Sequence, residues 1–439
     1  IVANSHDILA TGEIVAPDSS TDGNGKKFGR AVSIDGNFAF VGDARYNANT
    51  GVVYVYQKVN GSWSDTPVAR LRPTLDDGVT VIGANVYTYG NFGAAVSVKN
   101  GMAIVGEPDR EDPTSTREGF AYIYRLDTQT QTWNMVKRVK GSSPSSKDFG
   151  CSVAIESNTA VVGDSNGGIP GDFDRLGAVD IFEKSYLSGQ EEWVGVKRVV
   201  SDANMQVDGS GADNGYLGYA VTIDHNRILM GGIQCDSVVV YEKTLDEWQL
   251  AGYITSEDSN SASSFGWSLG LSGDYAIIGS KGYLTSAMLN DGSAYIFKRL
   301  SNGSWVQVNN LRLETDGYAA GEEFGVSVAM NGNLAVVGMP GKEVSGQETA
   351  GTAYVYELND GQWQQMDCAL YAVSFGFESP IPGQRFGAAV ALSDSDIIVG
   401  APFDDNTANA NKLAYIFDSG FEANDPVYIT IETSLTPDS

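Results

Sequence analysis

The side chains that carry most enzyme chemistry are scarce in this chain of 439 residues. It has two histidines, His6 and His225, and three cysteines, none of them in a C-x-x-C spacing. A Ser/His/Asp or Cys/His set therefore cannot be assembled on one face, and a catalytic metal site made of several histidines is excluded. Glycine-rich phosphate loops and G-x-S-x-G phrases do not occur in a strand–turn–helix context. We expect that the chain is not an enzyme.

Carboxylates are the remaining reactive groups, because the chain has 55 acidic residues against 28 basic ones. A pair of carboxylates can hydrolyse glycosidic bonds, so that chemistry stays open. Closely spaced aspartates could also bind a cation such as Ca²⁺, although solvated loop carboxylates are the more common explanation of such spacing. The candidate metal ligands are Asp172, Asp174, Asp404 and Asp405.

The net charge of −27 limits the partners of the chain. An acidic surface repels nucleic acid and anionic membranes, so we expect neither as a partner. There is no apolar run of about 18 residues, and we expect no membrane insertion. The first residues, Ile1-Val2-Ala3-Asn4, lack the basic and apolar regions of a signal peptide. We therefore expect that such a segment, if it existed, has been removed.

One phrase recurs seven times along the chain. Its five positions are Phe or Leu, then Gly, then a variable residue, then Ala or Ser, then Val or Leu. The copies start at Phe28, Phe92, Phe149, Leu217, Phe265, Phe324 and Phe386. In each copy a later apolar run ends in Gly, and after a loop comes an apolar segment that in most copies is a triplet such as Tyr54-Val55-Tyr56. Six copies then reach a tryptophan after a polar turn: Trp63, Trp133, Trp193, Trp248, Trp305 and Trp363.

Short runs of Val, Ile, Tyr and Phe between Gly, Asn and Asp turns predict β-strands. We name the four strands of each copy A (after Phe-Gly), B (ending in Gly), C (the aromatic triplet) and D (after the Trp). Seven such units predict an all-β fold, a seven-bladed β-propeller with four antiparallel strands per blade. The six tryptophans, one per blade beside a turn, are expected to pack the outer sheet and not to serve as sugar-stacking platforms.

The ring should be closed by the N-terminus. Residues 13–17 match residues 69–73 in their position ahead of a Phe-Gly copy, so residues 7–17 are expected to supply strand D of blade 7. A strand that begins at a chain end needs no C–D turn, which explains the missing seventh tryptophan. Residues 427–431 are the competing candidate for that strand. The propeller then spans residues 1–417, and residues 418–439 form a tail or linker with a possible extra strand.

The phrase F-G-x-S/A-V…V-G-A-P…G-x-A-Y-V-Y resembles the FG-GAP repeat of integrin α-chain propellers and their bacterial relatives, over about residues 28–417. Blade 7 keeps Val399-Gly400-Ala401-Pro402. The resemblance implies a secreted or cell-surface protein, here a non-integrin member, that recognises its ligand on the D–A/B–C face. Integrin-type repeats often bind Ca²⁺ between strands A and B. The three-residue A–B turns of this chain are too short for the about six to eight oxygens that Ca²⁺ takes, so we expect no cofactor there.

The D–A and B–C loops are long and varied, and both emerge on one face of the propeller. Binding residues concentrate in such loops. We predict a binding or adhesion module for a protein or glycan, either a monomer or part of a larger multidomain surface protein. The alternative is a polysaccharide-active lyase or hydrolase that uses carboxylates, Tyr and Arg at the central channel. The candidate ligand-binding residues are Tyr46, Tyr87, Tyr89, Asp109, Asp112, Tyr283, Tyr318 and Phe403.

Overall fold

The computed structural model describes the parts of the chain that form the blades. These are residues 12–15, 27–75, 90–109, 118–143, 148–167, 176–187, 190–201, 215–233, 237–256, 264–281, 292–311, 321–372, 380–402 and 413–418. Of the predicted site residues, only Tyr46 and Asp109 lie within these ranges. The others are outside the described residues: Tyr87, Tyr89, Asp112, Asp172, Asp174, Tyr283, Tyr318, Phe403, Asp404 and Asp405.

Seven antiparallel sheets follow one another, each with its strands hydrogen-bonded in the order A, B, C, D. The A strands are β2 (Ala31–Asp35), β7 (Ala95–Lys99), β11 (Phe149–Glu156), β15 (Ala220–Asp224), β19 (Phe265–Ser272), β23 (Ser327–Asn331) and β27 (Ala389–Leu392). The B strands are β3 (Phe38–Asp43), β8 (Met102–Glu107), β12 (Thr159–Asp164), β16 (Arg227–Gly231), β20 (Tyr275–Ser280), β24 (Leu334–Met339) and β28 (Asp396–Ala401).

The outer half of each blade is made by strands C and D. The C strands are β4 (Val52–Val59), β9 (Phe120–Asp127), β13 (Ala178–Leu187), β17 (Ser237–Thr244), β21 (Ser293–Arg299), β25 (Thr352–Asn359) and β29 (Leu413–Asp418). The D strands are the split pair β5 (Ser62–Trp63) and β6 (Ala69–Leu71), then β10 (Thr132–Lys140), β14 (Gln190–Val200), β18 (Glu247–Thr255), β22 (Trp305–Asn310), β26 (Gln362–Leu370) and β1 (Gly12–Val15). One helical turn, α1 (Tyr46–Asn49), lies in the first B–C loop.

The A strands form the inner wall of a closed ring. Each A strand contacts the A strand of the next blade, and β27 of blade 7 contacts β2 of blade 1. A ring of this kind surrounds a central channel, with the D strands at its outer edge. The structure therefore confirms the seven-bladed propeller. No helix in the described part of the chain has the length and apolar character needed to cross a bilayer.

The N-terminal strand completes blade 7. Strand β1 pairs antiparallel with β29, and Glu13 lies opposite Tyr415. This confirms the predicted closure, whereas residues 427–431 lie outside the described residues. Blade 1 also reaches blade 7 at the outside of the ring, where Lys58 and the Trp63 indole donate to the buried Asp396 at 2.9 and 3.0 Å. The first and last blades are thus joined through their A strands and through contacts from strands C and D of blade 1 to strand B of blade 7.

Pairs of glycines explain why the phrase recurs. The Gly after each phrase's first residue packs against the Gly at or next to the end of strand B of the preceding blade. A Cβ on Gly400 would lie 1.8 Å from the Gly29 oxygen, and one on Gly42 would lie 2.2 Å from the Gly93 oxygen. The other pairs are Gly106–Gly150, Gly163–Gly218, Gly231–Gly266, Gly279–Gly325 and Gly338–Gly387. Any side chain there would push two blades apart.

The repeated tryptophans were predicted to pack the outer sheet, and the structure shows them in contact with the preceding blade. Trp133 is 8% exposed, and its ring lies edge-on to Phe38 and Phe40 of the preceding blade, with centroids 5.4 and 5.0 Å apart. The Trp248 indole donates to Glu183 of the preceding blade at 2.7 Å. One detail of the prediction was wrong, since each tryptophan lies within strand D and not ahead of it. Within the strand, the ring can reach the neighbouring blade.

Candidate functional site: the channel mouth

The residue that follows each Phe-Gly or Leu-Gly pair lies where strand A begins. Strand A is the innermost strand, and its first residue is level with the D–A and B–C loops. The seven residues at this position therefore surround the opening of the channel on the loop face, which we call the channel mouth. They are Arg30, Ala94, Cys151, Tyr219, Trp267, Val326 and Ala388. Arg30 is exposed and the other six are half-buried.

An aromatic pair lies on one side of the channel mouth. The rings of Tyr219 and Trp267, from neighbouring blades, have centroids 4.7 Å apart at an angle of 51°. Lys281, at the start of the B–C loop of blade 5, places its Nζ 4.7 Å from the Trp267 centroid. A cation over an aromatic ring is attracted by the ring's quadrupole. The pair is therefore a partly exposed apolar surface with a positive charge beside it.

A row of alternating charges crosses three blades next to this pair. The Glu323 carboxylate accepts from Lys281 of blade 5 at 2.9 Å and from Arg385 of blade 7. Burial by itself would raise the pKa of Glu323, but the charges of Arg385 and Lys281 hold it below the usual value of a glutamate. Glu323 therefore stays ionised and fixes the position of both cations.

The two titratable hydrogen donors of the channel mouth stay protonated at neutral pH. Burial raises the pKa of the Tyr219 phenol to about 12, against the opposing charge of Arg30. Burial also raises the pKa of the Cys151 thiol to about 12, and the carboxylates of Asp148 and Asp164 act in the same direction. A thiol attacks as the thiolate, so Cys151 is a poor nucleophile. Tyr219 can donate a hydrogen bond but cannot act as a base near pH 7.

The described residues show no metal site at the channel mouth. Within those ranges, no three His, Cys, Asp or Glu side chains come close enough there to share one ion. Asp148 accepts from the Ser165 hydroxyl at 3.3 Å and from the Asn166 amide, which joins two loops of blade 3. The predicted metal ligands lie outside the described residues and stay predictions.

The two described candidates of the ligand-binding prediction lie in the B–C loops of blades 1 and 2. Tyr46 is half-buried in α1, with Tyr54 at a centroid distance of 6.5 Å and the Arg72 guanidinium 5.7 Å from its ring. The next loop is joined to this turn, because Asn49 accepts from the backbone N–H groups of residues 90 and 91. The Asn91 side chain in turn donates to Asp109 at 2.7 Å. The cited contacts of Tyr46 thus lie in blade 1 and those of Asp109 in blade 2, and their binding role stays a prediction.

The aromatic pair of the channel mouth was missed from the sequence. Trp267 is the one tryptophan of seven that does not fall at the repeated position in strand D. It occupies the variable position of the phrase, beside a fixed glycine. The sequence did carry a signal: the residue at this position varies from copy to copy, and here it is the largest amino acid. Tyr219 in the preceding copy carried the same signal.

Comparison with known families supports the repeat. Three spans of the chain, residues 248–297, 305–356 and 382–417, match the FG-GAP repeat family. Each of them contains strands A and B and most of strand C, in blades 5, 6 and 7. A search of curated proteins with the whole sequence found no match.

Proposed function

Because the chain is an FG-GAP repeat β-propeller, we propose that it is a secreted or cell-surface binding module whose ligand contacts the channel mouth. The observation that carries the proposal is the Tyr219–Trp267 pair with Lys281 beside it. Tryptophan, tyrosine and arginine are the side chains that most often dominate binding energy at interfaces. On a rigid ring of blades, they are held in position before a ligand arrives.

The chemistry of the channel mouth favours a glycan that bears carboxylate groups. The flat face of a sugar ring packs against an aromatic surface, and a carboxylate pairs with Lys281 or with the exposed Arg30. The protonated Tyr219 hydroxyl adds a donor. The net charge of the whole chain opposes an anionic ligand, but salt at physiological strength screens that repulsion beyond about 8 Å. The contact therefore depends on the nearby charges, which are the cations of Lys281, Arg385 and Arg30 and the Glu323 carboxylate that binds the first two.

The alternative function is a polysaccharide-active enzyme at the same place. It is favoured by the presence of Tyr219 and Arg30, which are residue types that such chemistry uses. The pKa shifts argue only against proton transfer by these two groups, because Tyr219 is held in its protonated form and Glu323 in its ionised form. Neither can exchange a proton easily near neutral pH, whereas a general acid or base works best when its pKa is near the working pH. Binding without turnover is the function we propose.

Binding to an array of acidic and neutral glycans tests the proposal, followed by titration of the best ligand. We expect acidic glycans to bind, and Trp267→Ala to weaken binding by about tenfold, the loss of one good aromatic contact. Tyr186→Ala is the matched control, because Tyr186 is 66% exposed on a blade's outer strands. Acidic polysaccharides incubated with the chain should yield no shorter products.

Three outcomes would contradict parts of this proposal. Equal weakening by Tyr186→Ala would mean that the channel mouth is not the site. Binding of a protein from surface extracts, lost in Trp267→Ala while no glycan binds, would keep the site and replace the ligand class. Release of shortened products, lost in Tyr219→Phe, would favour the enzyme.

A further inference from the structure

The face opposite the channel mouth carries the A–B turns, and these turns hold one another across the seams between blades. Asp35 of blade 1 accepts from the backbone N–H of Asn100 in blade 2 at 2.8 Å. Asp224 of blade 4 accepts from the N–H of Gly273 in blade 5 at 2.7 Å. In each case the last residue of strand A binds the next turn. The same contact recurs between blades 3 and 4, where Glu156 accepts from the N–H of His225.

The seam between blades 3 and 4 differs from the others because its turn contains a histidine. The His225 Nδ1 lies 3.0 Å from the Asp224 Oδ1. One ligand atom from each of Glu156, Asp224 and His225 can be chosen so that all three lie within 4.8 Å of one another. Zinc binds such atoms at about 2.0 to 2.2 Å, which in a tetrahedral site separates ligands by about 3.3 Å. A small closing movement of side chains would therefore let all three reach one ion.

Backbone contacts orient both carboxylates before any ion arrives. The Asp224 Oδ2 is held by the Gly273 N–H, and the Glu156 Oε2 by the His225 N–H. The other oxygen of Asp224, Oδ1, faces the imidazole and lies 3.0 Å from the His225 Nδ1. Hydrogen bonds of this kind fix ligand orientation in metal sites and strengthen them. The imidazole itself is exposed, with 81% of its side-chain surface accessible to solvent, so an ion can enter and keep water ligands.

We propose that Glu156, Asp224 and His225 form a binding site for a divalent transition metal such as Zn²⁺. One imidazole nitrogen and two carboxylate oxygens are a set that Zn²⁺ accepts, whereas Ca²⁺ takes oxygen ligands only and more of them. No single turn supplies all three ligands, since Glu156 comes from blade 3 and the other two residues from blade 4. An ion there joins two blades and stabilises the seam.

Titration calorimetry of the chelator-treated full chain with ZnCl₂ tests the site. We expect one strong site, lost in His225→Asn. Asparagine tolerates the backbone of this turn, where His225 has φ of +55°, so that the variant keeps the fold. Glu156→Gln and Asp224→Asn keep an oxygen for the backbone N–H groups and lose the charge. Each should weaken Zn²⁺ binding by at least about tenfold.

Two controls separate this site from general metal binding by an acidic chain. Asp35→Asn changes a carboxylate in the same turn position at another seam, and His6→Asn removes the other histidine. Both should bind Zn²⁺ like the wild type, and Zn²⁺ should raise the melting temperature of the wild type but not of His225→Asn. Unchanged binding in His225→Asn, or equal weakening by Asp35→Asn, would overturn the proposal.

Discussion

Neighbouring positions of the repeated phrase behave in opposite ways. Its glycine is the same in every blade, whereas the next residue is Arg30 in blade 1, Cys151 in blade 3 and Trp267 in blade 5. The glycine faces the backbone of the adjoining blade, where a Cβ on Gly29 would lie 2.6 Å from the oxygen of Leu413. The next residue faces the channel mouth. The repeat is therefore uniform where blades touch and diverse where a ligand can approach.

The largest loss of stability should come from a methyl group added to one of the glycines that pack between blades. Gly400→Ala puts a Cβ 1.8 Å from the Gly29 oxygen, at the seam that closes the ring. Backbone cannot move aside as a side chain can, so blades 1 and 7 must separate. We expect a loss of about 5 kcal/mol or more, at the upper end for single substitutions. Unfolding in urea, followed by tryptophan fluorescence, measures it.

Gly195→Ala is the matched control for Gly400→Ala. Gly195 lies exposed in strand β14, and its nearest neighbour to an added Cβ is a Phe182 ring carbon at 3.5 Å. Alanine should be neutral or slightly stabilising there, because it lowers the entropy of the unfolded chain. A Gly400→Ala variant as stable as Gly195→Ala would show that the glycine pairs do not determine the blade spacing.

Two tryptophans test the comparison between blade contacts and the channel mouth: Trp133 packs between blades, and Trp267 lies at the channel mouth. Trp133→Ala leaves a cavity beside Phe38 and Phe40 of the preceding blade and should cost about 3 to 5 kcal/mol. Trp267→Ala removes a half-buried ring and should cost about 1 kcal/mol, since less apolar area leaves the interior. Their unfolding curves and their glycan binding should rank in opposite order. A larger stability loss for Trp267→Ala would make the channel mouth part of the scaffold.

The uniform side of the molecule was predictable from the sequence and the diverse side was not. Repetition marks every contact that each blade must make, so the strands, the seven blades and the closure by residues 12–15 followed from the phrase and its tryptophans. Contacts made once leave no repeated signal. Glu323 meets Lys281 and Arg385 only because three blades come together, and the rings of Tyr219 and Trp267 meet across the seam between blades 4 and 5. Their distances depend on the spacing of blades, which the length of a repeat does not encode.

The smallest effect concerns the charges beside the channel mouth. Lys281 and Arg385 hold the pKa of Glu323 below its usual value, so the unfolded chain binds this proton more readily than the folded one. Stability from this group is therefore present above the ordinary glutamate pKa of about 4.3 and is lost as the pH falls through the lower folded value. The side chain is 19% exposed, and we expect a contribution of about 1 kcal/mol at pH 7.

This contribution is measured by unfolding the wild type and Glu323→Gln in urea at pH 7 and at about pH 3. The other carboxylates titrate equally in both proteins, so the difference between the two proteins reports Glu323 alone. The wild type should be more stable at pH 7, and the difference should shrink in acid. Lys281→Met removes one of the two cations and should reproduce part of that pH-dependent difference. A difference of the same size at both pH values would mean that Glu323 acts through packing and not through its charge. The contacts of Glu323 with Lys281 and Arg385 would then stabilise the packing of blades as the glycine pairs do. Lys281 would not need the charge of Glu323 to hold its position beside the ligand.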